Sequence, residues 1–359
     1  MERRERVEWI DVAKGLGMLL VILGHTMTTP IRNSSSICYS IYIGVYFFHM
    51  PFMFYLSGRT FGMAGNRYQA MSDHSFLGKK LWQLMVPYVV YDCIVYLIFA
   101  GANAIHKVNQ ILEGSGYGKE TVMDFLKGLV LGDNVYAYHL WYIYGLFVMT
   151  AVSYLVVKHC GKAAPYILFA LAGIGAFVRV ADTPFHINTT FWGAYNMVMK
   201  CYLWFVVGMY CDFSKLIKKW WSILWQFAAA IYMVLIAINF HGWAGYSGTL
   251  RFESAKWIAD AGLLMLFVNI ACILSGKVKS FFTFTGKRSY GIYLFHQPFF
   301  ASGGGLVMVK VLHIPVLAAV CISVVLCYLA PLCILRLLDT SIGSRIKPYL
   351  LGTPRKKRV

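Results

Sequence analysis

The chain has 359 residues, 59% of them apolar and 13% charged, with a mean hydropathy of +0.60. Soluble domains run nearer half apolar and a quarter charged, so a water-soluble globular fold is excluded and a polytopic membrane protein is expected. The net charge of +18 would suit nucleic acid, but the basic residues are sorted by side of the membrane rather than gathered in one patch, and no nucleic-acid partner is expected.

A membrane crossing needs about 20 mainly apolar residues. Ten such stretches are read, at 7–28, 41–61, 84–103, 140–157, 165–181, 191–211, 221–240, 257–275, 290–309 and 315–337. With the N-terminus in the cytoplasm, 22 of the 33 Lys and Arg residues fall on the inner side, Lys277, Lys279, Lys287 and Arg288 among them. Only 8, including Lys256, fall in outer loops, as the positive-inside rule asks. The expected fold is therefore an all-α polytopic membrane protein of about ten transmembrane helices with both termini cytoplasmic. Residues 1–337 form the membrane domain and 338–359 a basic cytoplasmic tail, whose Arg355–Arg358 run is read as held by anionic membrane lipid. The first span carries Lys14 and His25 and no small-residue cleavage site, so it is not read as a signal peptide.

The first two spans carry the chemistry. Ionisable groups inside a bilayer are costly and mark functional sites by default. Lys14 and His25 are separated by about 16 Å along a helix and return to nearly the same face. On the second span, running the other way, His49 and Arg59 lie about 15 Å apart. Each helix thus offers a cation near the cytoplasmic face and a histidine deeper in, with Ser57 between His49 and Arg59 in height. That layout suits a long ligand with a phosphate-rich head and a reactive end, such as a coenzyme A thioester, and histidine suits proton transfer at neutral pH. Structural alternatives stand beside this reading. Lys14 can snorkel or pair with Asp11, Arg59 can anchor the inner interface, and either histidine can be a hydrogen-bonded core residue.

Further along, the outer loop 104–139 opens polar and glycine-rich at Glu113–Gly118 and then reads as an amphipathic helix from Lys119 to Val130, a lid or an interfacial helix. It leads into His139-Leu140-Trp141-Tyr142, where the rings serve equally as interface anchors or as acceptor-side contacts. His296 falls about seven residues into the ninth span, either touching a ligand or hydrogen-bonded within the bundle. The nine cysteines show no metal spacing; seven fall inside expected spans and read as small apolar packers, and no metal is expected. Two Asn-x-Ser/Thr sequons, at Asn33 and Asn188, fall in outer loops.

Asp11-Val12-Ala13-Lys14-Gly15 followed by Val21-Ile22-Leu23-Gly24-His25 resembles the opening of the acyltransferase-3 family of membrane O-acyltransferases. Later landmarks keep the same order: Phe48-His49-Met50-Pro51-Phe52 with Leu56-Ser57-Gly58, Lys80 through Pro87-Tyr88, His139-Leu140-Trp141-Tyr142, Leu203-Trp204-Phe205 with Gly208, and Gly286-Lys287-Arg288-Ser289-Tyr290 through His296. The likeness spans about residues 6 to 337 and looks nearest to the fucose 4-O-acetylase-like branch. Family members share a basic residue and, after ten residues, a histidine; arginine is frequent at the first place, where this chain has Lys14.

The resemblance implies an enzyme that passes an acyl group, usually acetyl, from cytoplasmic acetyl-CoA to a hydroxyl of a sugar, cell-surface glycan or glycolipid. It implies CoA phosphates near Lys14, Arg59, Lys287 and Arg288, and His25 as general base or transient acyl carrier. His49 and Ser57 would polarise the thioester carbonyl or orient the acceptor, with His139, Trp141 and Tyr142 on the acceptor side. Many relatives add an extracytoplasmic esterase-like domain; here the chain is expected to act alone or with a separate extracytoplasmic partner. Family and composition lean towards a bacterial inner or plasma membrane. The rival reading is a transporter or exporter of a small polar or acylated substrate, although the internal repeats common in transporters are not found.

Overall fold

The computed structural model describes residues 7–113, 117–185, 194–239 and 249–354, and among these it is helical throughout, with no strand. The N-terminal arginines, the Gly114–Gly116 stretch, the Asn188 sequon and the Arg355–Arg358 run lie outside the described residues. The long helices are α1 (Glu8–Thr26), α2 (Ser36–Met63), α3 (Val86–Asn103), the short α4 (Val122–Leu131), α5 (Trp141–Cys160), α6 (Ala164–Phe185), α7 (Ala194–Tyr210), α8 (Trp220–Ile238), α9 (Leu250–Ile273), α10 (Gly276–Phe295), α11 (Val316–Leu338) and the short α12 (Gly343–Leu351).

Seven stretches among the described residues are long and apolar enough to cross a membrane, and one of them, Tyr138–Val178, holds two of the expected spans joined at Gly161. Along α8 the residues Trp220, Leu224, Phe227, Ile231, Leu235 and Ile238 are all exposed, which in water would be an aggregation surface and in a bilayer is the lipid-facing side. The protein is a multi-pass membrane protein. Cys272, Cys321 and Cys333, expected as interior packers, are exposed on their helices, whereas Cys38, Cys201 and Cys327 are buried.

Two expectations shift. The ninth helix was expected to start at Tyr290 because Lys277, Lys279, Lys287 and Arg288 read as a loop; it runs instead over Gly276–Phe295. Those charges sit on exposed faces, and Lys279 pairs with Glu8 at 2.7 Å. His296 therefore caps the end of α10 rather than lying a third of the way along a span, and Phe299–Gly303 beyond it is wound as a π-helix. Lys256, counted in an outer loop, is buried within α9 and pairs with Asp260 one turn on, at 2.6 Å.

Contacts group the chain into two compact units. The first, Met1–Met63 with Val180–Ile187 and Leu203–Tyr328, holds α1, α2, α8, α9, α10 and the end of α7. The second, Ala64–Arg179 with Asn188–Tyr202 and Leu329–Val359, holds α3 to α5, α6 as far as Arg179, and α12. Within the second unit the outer loop is tied down by tyrosine hydroxyls that donate to main-chain carbonyls. Tyr88 reaches Leu129 at 2.9 Å, Tyr144 reaches Val130 at 2.9 Å, Tyr136 reaches Gly118 at 2.8 Å and Tyr96 reaches Glu120 at 3.4 Å. Helix α4 starts at a capping box of Thr121 and Asp124 and ends at Gly132 with φ +71°. It turns Val122, Met123, Leu126 and Val130 outward, as an interfacial helix does. In the described part of the tail α12 follows α11, and the Trp82 indole N–H donates to the Thr353 carbonyl at 3.0 Å.

Candidate active site

Glycines set the approach of the three helices that carry the histidines. Helices α1 and α2 are antiparallel: Gly17 of α1 faces Phe52 and Met53, and seven residues later Gly24 faces Val45 and Tyr46. That register places Lys14 level with Tyr55 and Leu56. Helices α1 and α10 touch backbone to backbone. A Cβ built on Gly15 would lie 2.2 Å from the Phe282 carbonyl oxygen, and one on Gly286 would lie 1.8 Å from that of Asp11. Only glycine permits this approach. Ten residues further along both helices, which run parallel, His25 meets His296.

His25 Nδ1 lies 2.7 Å from His296 Nε2, with the rings nearly parallel and 5.0 Å apart. His296 is fully buried, and its Nδ1 is 2.6 Å from the Tyr293 carbonyl oxygen. A carbonyl only accepts, so Nδ1 of His296 carries its proton and, in the neutral ring, Nε2 is a lone pair. That lone pair accepts from His25 Nδ1–H, which leaves His25 Nε2 unprotonated. The main chain of α10 thus dictates, through one intervening imidazole, which nitrogen of His25 carries the lone pair.

His49 follows the same logic. Its Nδ1–H donates to the Val45 carbonyl at 2.8 Å, so Nε2 of the neutral ring is an acceptor. The Tyr46 ring makes edge contacts with both histidines, 4.8 Å from His49 and 6.3 Å from His25. Above it Tyr42 packs on Tyr46 at 4.2 Å, Tyr39 follows at 6.4 Å, and the Arg32 guanidinium lies 4.1 Å over Tyr42. Spacings of three and four residues put this ladder on one face of α2. The sequence held that signal, a run of tyrosines at helical intervals ending at His49.

The remaining expected residues are placed as follows. Lys14 is half-buried on α1, and the Ser57 hydroxyl donates to the Met53 carbonyl at 2.9 Å. Arg59 is committed to Asp212, at 2.5 Å, with both side chains largely shielded. Lys287 and Arg288 are exposed on α10, about 12–14 Å before His296 along the helix axis, and the Arg288 guanidinium lies 3.7 Å over Phe284. His139, Trp141 and Tyr142 belong to the second unit, where buried His139 meets the edge of Tyr91 at 5.9 Å and Trp141 meets Tyr142 at 6.4 Å. The ion pairs of Asp212 and Asp260 were not read from the sequence. Asp212 gave no sign of its partner 153 positions away, whereas the Lys256–Asp260 pair, four apart on one apolar helix, was legible as an i,i+4 pattern.

Compared with protein families, residues 7–332 match the one described as Acyltransferase domain, acyltransferase type 3. No curated protein and no solved structure matched the chain.

Proposed function

From the premise that the chain belongs to the acyltransferase-3 family, we propose that it moves an acetyl group from cytoplasmic acetyl-CoA to a hydroxyl of a sugar, glycan or glycolipid, in a bacterial plasma membrane. The observation that carries the reading is the His25–His296 pair, which leaves His25 Nε2 as a preset base.

The acceptor hydroxyl donates its proton to His25 Nε2 as its oxygen attacks the thioester carbonyl carbon; the C–S bond breaks and CoA leaves as the thiolate. His25 is then an imidazolium whose Nδ1–H is held by the His296 lone pair, so the charge forms beside a prepared acceptor rather than in bare apolar surroundings. The proton returns to the thiolate as CoA departs. Lys14, Lys287 and Arg288 are the cations offered to the CoA phosphates. Arg59, already paired with Asp212, organises the inner end of α2 and is the weakest of the four for that task. Ser57 is proposed to polarise the thioester carbonyl or orient the acceptor, and His139, Trp141 and Tyr142 remain acceptor-side residues.

The test is acyl transfer by purified protein in nanodiscs with radiolabelled acetyl-CoA and cell-envelope extract, wild type against His25→Ala. The proposal expects CoA release and labelled glycan that depend on His25. Label and release that persist in a folded His25→Ala protein would overturn it. A folded wild type with no release on any fraction would return the weight to transport.

A further inference from the structure

The tautomer of His49 has a consequence for the acceptor. Its ring is 2% exposed and its Nδ1 is occupied by the Val45 carbonyl. Among the described residues neither His25 nor His49 makes a hydrogen bond through Nε2. The site therefore presents two lone-pair nitrogens on rings that each make an edge contact with Tyr46, which is itself 39% exposed. A thioester carbonyl and a developing oxyanion are acceptors, and neither can bond a nitrogen that is itself an acceptor. Only a donor fits, and a buried acceptor left without one is penalised.

We propose that His49 Nε2 accepts a hydrogen bond from a second hydroxyl of the acceptor sugar, while His25 takes the proton of the first. His49 is thus a specificity-determining residue for an acceptor with at least two hydroxyl groups on one ring, and it does not polarise the thioester. Tyr46, in edge contact with both rings, offers its own to the C–H face of the sugar. The Lys256 ammonium, held by Asp260, lies 4.5 Å over the ring of Phe47, two residues before His49 on α2. The inference rests on the acyltransferase reading above.

The experiment uses the full chain in nanodiscs with radiolabelled acetyl-CoA. The sugar labelled in envelope extract is identified, then supplied as its methyl glycoside and as each monodeoxy derivative of that glycoside. In the wild type, removing the attacked hydroxyl abolishes transfer, and removing one other hydroxyl lowers kcat/KM about tenfold or more. His49→Asn keeps an amide N–H where Nδ1 meets Val45 and has nothing at the place of Nε2. It should transfer to the parent and to that second deoxy derivative at equal, reduced rates. A wild type indifferent to every hydroxyl but the attacked one overturns the proposal without any variant. So does a His49→Asn protein that discriminates as the wild type does, or one whose only change is the KM for acetyl-CoA, because the donor bonding Nε2 would then be a pantetheine amide. Absence of His25-dependent labelling removes this proposal and the acyltransferase reading together; His25-dependent labelling without the second-hydroxyl effect removes this one alone.

Discussion

Replacing Gly286 by alanine tests whether the backbone contact between α1 and α10 sets the catalytic geometry. In an isolated helix interior the change would stabilise by about 1 kcal/mol, since alanine is the better helix former. Here the new Cβ would sit 1.8 Å from the Asp11 carbonyl oxygen, whereas non-bonded atoms rest about 3.5 Å apart. The two helices must therefore part by about 1.5 Å, at an overpacking cost of about 1–3 kcal/mol. Both helices are stiff and parallel, so much of that retreat reaches the His25–His296 contact, now 2.7 Å, and opens it to about 4 Å, outside hydrogen-bond range. His25 then loses the partner that fixes its tautomer, and a displacement of about 1 Å in such a constellation lowers rates by about 100-fold. The assay pairs His25-dependent CoA release with thermal unfolding of the detergent-solubilised protein, using Gly78→Ala, where nothing lies within 4 Å of the new Cβ, as the innocuous control. Full activity at unchanged stability would refute the reasoning, and so would an activity loss accounted for wholly by loss of folded protein.

Three other outcomes are expected. His296→Gln places a carbonyl oxygen where it can accept from His25 Nδ1–H and should keep measurable turnover, whereas His296→Leu should lower kcat by about 100-fold with KM for acetyl-CoA unchanged; equal rates for the two variants would count against the tautomer argument. Asp212→Ala should lower stability by about 1–3 kcal/mol by leaving the shielded Arg59 unpaired, and a second change, Arg59→Met, should recover most of it; unfolding midpoints of the two variants that agree would contradict this. Outside the membrane, Asp124 accepts from the hydroxyl and amide of Thr121, and those bonds hold its carboxyl below the usual carboxylate range. A depressed folded value means the cap is fully in place above the unfolded value, about 3.9, and is lost as pH falls through the folded one. Protection of the Val122–Phe125 amides against exchange, taken relative to the intrinsic rate at each pH, should therefore fall on acidification below about pH 4, and Asp124→Asn should remove that dependence.

The pairing of α1 with α2 was legible because both ends of the argument were local: apolar stretches of bilayer length, each with a cation and a histidine at helical spacing. The start of α10 was not. Hydropathy reads Lys277, Lys279, Lys287 and Arg288 as a loop, but long cationic side chains on an exposed helix face reach polar surroundings while the backbone stays helical. The same displacement hid the role of His296. Its partner is 271 residues away, and no spacing rule spans that distance; only the glycine-mediated crossing of α1 and α10 brings the two rings together. Arg59 shows the complementary ambiguity, since a cation in a span reads alike whether it awaits a phosphate or already holds an aspartate.

The tyrosine ties of the outer loop have an evolutionary and practical meaning. Their acceptors at Gly118, Glu120, Leu129 and Val130 are main-chain carbonyls, which every amino acid possesses. Side chains at those acceptor positions can be exchanged without removing a single tie, while the path of the backbone stays fixed by Tyr88, Tyr96, Tyr136 and Tyr144. The segment thus behaves as a display frame: its surface chemistry is free to drift towards a new partner or to carry an engineered tag, and its shape is inherited from residues of which Tyr88, Tyr136 and Tyr144 are buried.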